Sequence, residues 1–133
     1  MNAKADILAT IQTMTDAFNK GDIEGVMRTY EPTAVVVGQP GAPVSGDGPL
    51  RAMFAGFIAA KANFRFAAHD VVQAGDLAVH FTPWQMTGVG PDGSPISASG
   101  LSVAVLRRQP DGRWLFVIDD PYGDELLTKH PVR

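Results

Sequence analysis

The chain has 133 residues, a formal net charge of -3 and no cysteine, with 45% apolar against 19% charged residues. That length suits one domain whose core needs neither metal nor cross-link, and the missing cysteine excludes disulfides, thiolate zinc sites and a cysteine nucleophile, as fits a cytoplasmic protein. The Lys and Arg residues are scattered, with Arg107-Arg108 the only adjacent pair, so no nucleic-acid partner is predicted; with no run of ~20 apolar residues, no membrane partner is predicted either.

Lys4 and Asp6 interrupt the apolar stretch at the N-terminus, which therefore lacks the core of a signal peptide. Ile7, Ile11, Met14 and Phe18 then recur at helical spacing and predict a first helix over residues 3 to 20, ended by Gly21. Asp22 is a good N-cap for a short second helix whose Ile23, Val26, Met27 and Tyr30 share a face, and Pro32 forbids its continuation. Residues 33 to 37 are β-branched enough for a short strand. The stretch from Gly38 to Gly48, rich in Gly and Pro, predicts an ordered loop or short hairpin. Pro49 suits the first turn of a third helix, whose Leu50, Met53, Phe54, Phe57 and Ile58 form one broad apolar face as far as about Lys61.

Three glycine-bearing turns, Gly75-Asp76, Asp92-Gly93 and Pro110-Asp111-Gly112, then separate four runs rich in β-branched and aromatic residues, over 64 to 73, 77 to 87, 96 to 108 and 113 to 120. Such turns join antiparallel neighbours, so this half reads as a four-stranded meander. Both faces of these strands carry apolar residues, as expected when one side packs on helices and the other on a second subunit. Taking Val79, Phe81 and Pro83 as the inward set turns His80, Thr82, Trp84 and Met86 outward, as a homodimer face. Residues 121 to 133 read as a tail that Tyr122, Leu126 and Leu127 could dock.

This order of elements resembles the nuclear transport factor 2-like superfamily, and its wording is most similar to SnoaL-like and ketosteroid-isomerase-homologue proteins. The resembling pieces are Phe18 to Asp22 and on to Tyr30, the Gly38 to Gly46 loop, Gly75-Asp76 with Trp84, and Arg107 to Trp114 ending at Asp119. The resemblance spans nearly the whole chain and implies an α+β, cystatin-like cone: a strongly curved, mainly antiparallel sheet with three N-terminal helices, paired into homodimers through the sheets. It does not imply one reaction, because members include enzymes of several kinds and pure binding domains. Ketosteroid isomerases use a carboxylate base with a tyrosine and a protonated aspartic acid as oxyanion donors. In this chain the tyrosine position falls on Met14, the base on Gly38, the acid near Ala104 and a second pocket tyrosine on Phe54, so that mechanism is not expected.

The remaining candidates are few. On the resembling strand Val117, Asp119 and Pro121 would face a cavity while Trp114, Phe116 and Ile118 face away; an Asp there would serve as acid or base, whereas the alternative has Asp119-Asp120-Pro121 simply ending the strand at the surface. Tyr30 would donate its hydroxyl into the cavity or bond it to backbone as a core tyrosine. His69 is a further acid-base candidate, and no metal spacing is present. Met14, Phe18, Phe54, Phe57 and Phe81 are expected to line the cavity, with Gln39, Gln85 and Ser102 as hydrogen bonders. Two functions therefore stand open, with no cofactor expected for either: a pocket that binds a small, mostly apolar molecule with acid-base chemistry at Asp119, and a non-catalytic dimerisation or ligand-sequestering module.

Overall fold

The computed structural model describes residues 3 to 130 and residue 132. Helix α1 (Ala3–Lys20) buries Ile7, Ile11, Thr15, Ala17 and Phe18 along one stripe, and the turn at Gly21 leads into α2 (Ile23–Met27). The carboxylate of Asp22 accepts the Gly25 amide at 3.0 Å, one of the donors that a helix start leaves unpaired. The Thr29 hydroxyl donates to the Val26 carbonyl at 2.7 Å and helps to close α2, so Tyr30 opens strand β1 (Tyr30–Gln39) instead of closing the helix. Pro32 is tolerated in this strand because it lies where the pairing register shifts, between Tyr30 and Val35.

Strand β2 (Ala42–Ser45) completes a short hairpin with β1, and α3 (Asp47–Ala59) follows, burying Leu50 and Phe54. The predicted first meander strand is two strands, β3 (Asn63–Phe66) and β4 (Asp70–Ala74), which pair with opposite ends of the long β5 (Leu77–Val89). Strand β6 (Pro95–Arg108) pairs with β5 along 13 register positions, and β7 (Trp114–Asp120) with β6. The turns at Gly75, Gly93 and Gly112 all have positive φ, as hairpin turns of this kind require. The single sheet runs β2-β1-β7-β6-β5-β3, all antiparallel except β1 with β7. A short α4 (Glu125–Lys129) ends the chain; Tyr122 docks on β1 through its bond to Gly38, whereas Leu126 and Leu127 stay exposed.

Two expectations about strand faces are corrected. On β5 the buried residues are Ala78, His80, Thr82 and Trp84, so these face the helices, and Val79, Phe81 and Pro83 face outward. The predicted dimer face of His80, Thr82, Trp84 and Met86 is thus the inner one. Polar residues are accommodated there because each has a partner: His80 bonds His69, and the Thr82 hydroxyl donates to the Ala68 carbonyl. On β7, Val105 pairs with Ile118 but Leu106 with Phe116, leaving Val117 as an extra residue. That bulge breaks the alternation, so Trp114 and Phe116 are buried, Ile118 is outward and Asp119 is buried again. Near the middle of the β5–β6 ladder, a Cβ on Gly100 would lie 2.9 Å from the Trp84 ring, so glycine lets that indole seat against β6.

The α1–α2 junction yields a stability prediction. Asp22→Ala should lower the urea-unfolding free energy by about 1 kcal/mol, and Asp22→Asn should retain most of it. Equal losses in the two variants would show that the cap contributes nothing beyond its charge.

Candidate functional site

A cavity of about 140 Å³ lies between the inner face of the sheet and helices α1 and α3. Helix α1 supplies Met14, Thr15 and Phe18; α3 supplies Met53, Phe54 and Phe57; β3 and β5 supply Phe64, Phe66, Trp84 and Met86. These helical residues fall at spacings that keep them on one face of their helix, and the strand residues pair across β3 and β5 as Phe64 with Met86 and Phe66 with Trp84. The wall is mainly aromatic rings and thioethers.

Its polar end is built by β1, β6 and β7. Parallel pairing sets Tyr30 beside Phe116 and Val36 beside Asp119. The Tyr30 ring stacks on Phe116 at 4.7 Å between centroids, and its hydroxyl donates to Asp119 Oδ2 at 2.6 Å. The bulge at Val117 makes this possible by returning Asp119 to the face that Phe116 occupies. Ser102, on β6, lies near Asp119 and also lines the cavity. Tyr122 closes over the same space with its hydroxyl donating to the Gly38 carbonyl at 2.9 Å, and the Trp84 indole N–H donates to the Pro121 carbonyl at 2.7 Å.

Burial pushes the Asp119 carboxyl up to about 6; the nearby Asp120 charge adds to this, while the hydroxyls of Tyr30 and Ser102 oppose it. Burial, and then the Asp119 charge, hold the Tyr30 hydroxyl well above its ordinary value, so it stays a donor. The arrangement offers both a carboxylic acid and a carboxylate near neutral pH, each positioned by a phenol.

The structure therefore brings together Asp119, Tyr30, Ser102, Met14, Phe18, Phe54 and Phe57 from the residues expected in the cavity. It does not bring in four others. Gln39 and Gln85 are exposed, and Phe81 lies on the outer face by the parity of β5. His69 lies outside the cavity, with its Nδ1 2.9 Å from His80 Nε2 and the two rings stacked. Burial, followed by the His69 charge, pushes His80 down to about 4, and burial also lowers His69. Sequence reasoning missed Met53, Phe64, Phe66, Met86 and Tyr122 as cavity residues. The alternation of Phe64 and Phe66 with exposed Arg65 was the available signal for two of them. Among the described residues, no group of three or more His, Asp or Glu side chains could hold a metal, and no helix is long and apolar enough to cross a membrane.

Comparison with known proteins agrees with the overall fold. The family model of the SnoaL-like domain matches residues 11–117. Among solved structures, a ketosteroid isomerase-like protein from Erwinia carotovora atroseptica superposes with a TM-score of 0.79 at 22% identity, covering 90% of this chain and 94% of that one. An uncharacterized protein with a cystatin-like fold from Caulobacter vibrioides gives 0.77 at 17% identity, covering 97% and 96%. The association domain of CaMKII from C. elegans gives 0.69 at 20% identity, covering 88% and 92%. The architecture is that of the nuclear transport factor 2-like superfamily. No curated protein matches the sequence.

Two buried groups with opposite shifts predict a masked pH dependence. Folded Asp119 holds its proton more tightly than the unfolded residue, so its stabilising contribution is present below pH 3.8 and is lost as pH rises through about 6. Folded His80 resists protonation, so its contribution is present above pH 6.5 and is lost as pH falls toward about 4. Between pH 4 and 6 the two oppose each other. Asp119→Asn should be more stable than the parent in urea at pH 7, by at most roughly 3 kcal/mol, and should lose stability more steeply on acidification. A parent that equals or exceeds Asp119→Asn at pH 7 would contradict the cost assigned to this carboxyl.

Proposed function

The chain belongs to the SnoaL-like domain family, and from that premise we propose that it binds a small, mostly apolar organic molecule and performs acid-base chemistry on it through Asp119. The observation that carries this proposal is the carboxyl of Asp119, buried in an apolar cavity and bonded at 2.6 Å by the Tyr30 hydroxyl. A carboxyl placed this way costs stability, which a purely structural core would avoid by using an apolar residue. Near neutral pH the ionised form would take a proton from a bound molecule and the neutral form would return it; such proton transfer contributes roughly a hundredfold or more in rate. Tyr30 positions the carboxyl and lowers its basicity, and Ser102 lowers it to a smaller extent. Isomerisation by the ketosteroid isomerase route is not part of this proposal, because Met14 and Gly38 stand where that route needs its donor tyrosine and base. His69 takes no role in it, since its ring is engaged with His80 outside the cavity.

Asp119→Asn should abolish turnover while leaving affinity for the bound molecule within a few-fold. Tyr30→Phe should shift the midpoint of the rate profile to higher pH, because losing the phenol's bond raises the Asp119 carboxyl further. Turnover unchanged in Asp119→Asn would remove Asp119 from the proposal, whereas a parent that binds such a molecule without turning it over would support the second reading, ligand sequestration without catalysis.

The chain should also pair with a second copy through the outer face of its sheet. Val72, Val79, Val105, Ile118 and Val35 stand opposite one another in successive strands, forming one row of branched side chains across the sheet. Val72 is 59% exposed and Ile118 44% exposed, leaving an apolar band that a two-fold axis would cover with itself. The likeness to an association domain supports assembly of this fold. Light scattering should give a dimer for the parent and a monomer for Ile118→Glu; a monomeric parent at micromolar concentration would remove the face from the proposal.

A further inference from the structure

The cavity's size and charge constrain what it can hold. An apolar cavity of ~150 Å³ in a protein interior is known to take up benzene, so about 140 Å³ accommodates one six-membered ring, on the order of six to eight non-hydrogen atoms. Drug-sized and fused-ring ligands ordinarily occupy ~300 Å³ or more. Among the described residues no Lys, Arg or His lines the space, so a bound anion would meet Asp119 with no counter-charge from them. A bound ammonium would exchange its water for a wall of rings and thioethers with Asp119 as its one charged partner, a desolvation cost that a buried pair does not recover. The hydroxyl of Tyr122 is engaged by the Gly38 carbonyl and that of Thr15 by the Ile11 carbonyl. Free hydrogen-bonding capacity is thus concentrated at the inner end, where Asp119 and Ser102 meet.

Resting on the reading of this cavity as a ligand site, we infer that it selects a neutral single-ring molecule bearing one hydrogen-bonding oxygen, and rejects carboxylates, phosphates, ammonium compounds and fused-ring molecules. The ring packs among Phe18, Phe54 and Trp84, and its oxygen points to Asp119 and Ser102.

The chain's two tryptophans provide an internal control, since Trp84 lines the cavity and Trp114 does not. Their indole N–H resonances in ¹⁵N-labelled protein should be followed during titration with 2-cyclohexen-1-one, benzoate, benzylamine and progesterone. The expected result is a saturable shift of the Trp84 signal alone with 2-cyclohexen-1-one, at least tenfold tighter than with benzoate or benzylamine, and no binding of progesterone. Binding of benzoate, benzylamine or progesterone at Trp84 as tightly as the cyclic ketone would overturn the selection rule and leave the ligand site standing. No selective movement of Trp84 with any probe would overturn both.

Discussion

A phenol hydroxyl 2.6 Å from a carboxylate oxygen, both removed from water, sets the terms for the rest of this molecule. Neither group tolerates burial alone: the carboxyl would lack a donor, and the phenol would lack an acceptor. Bringing them together takes three features distant in sequence. The parallel pairing of β1 and β7 puts Tyr30 beside Phe116, the stack on Phe116 orients the ring, and the bulge at Val117 returns Asp119 to the inner face. The long β5–β6 ladder and the two helices then provide an enclosure of rings and thioethers around the pair. In such surroundings the carboxyl's midpoint is raised to about 6, so a protonated fraction persists close to neutral pH.

Local features of the sequence were legible because their causes are local. Helix α1 follows from an apolar stripe and a closing Gly21, α2 from the Asp22 cap, and the hairpins of the second half from glycines that accept positive φ. The faces of β5 were not legible. Its two sides are about equally apolar, and the polar His80 and Thr82 face inward because His69 and the Ala68 carbonyl, distant along the chain or in a neighbouring turn, satisfy them. The register shift on β7 depends on its pairing with β6, so a count of alternate residues placed Trp114 and Phe116 on the wrong side while placing Asp119 correctly. Asp119 and Tyr30 could be singled out as types and positions; their mutual hydrogen bond, across 89 residues, could not.

The structure also separates two uses of buried titratable groups. The His69–His80 pair is a satisfied polar contact on the flank of the sheet, and the lowered basicity of both rings keeps them neutral. The Tyr30–Asp119 pair faces a partly open cavity large enough for a small molecule. Geometry, more than residue type, distinguishes them: histidine is the commoner acid-base residue, yet here the carboxyl has access to the cavity. The family's fold hosts many reactions, so these contacts carry more of the functional argument than the architecture does.

The buried, phenol-bonded state of Asp119 is tested by titrating the carboxyl itself, followed by ¹³C NMR of aspartate-labelled protein with Asp119→Asn to assign the signal. The midpoint is expected near 6 in the parent and higher in Tyr30→Phe. A midpoint at or below the ordinary aspartate value of 3.8, unmoved by Tyr30→Phe, would contradict it.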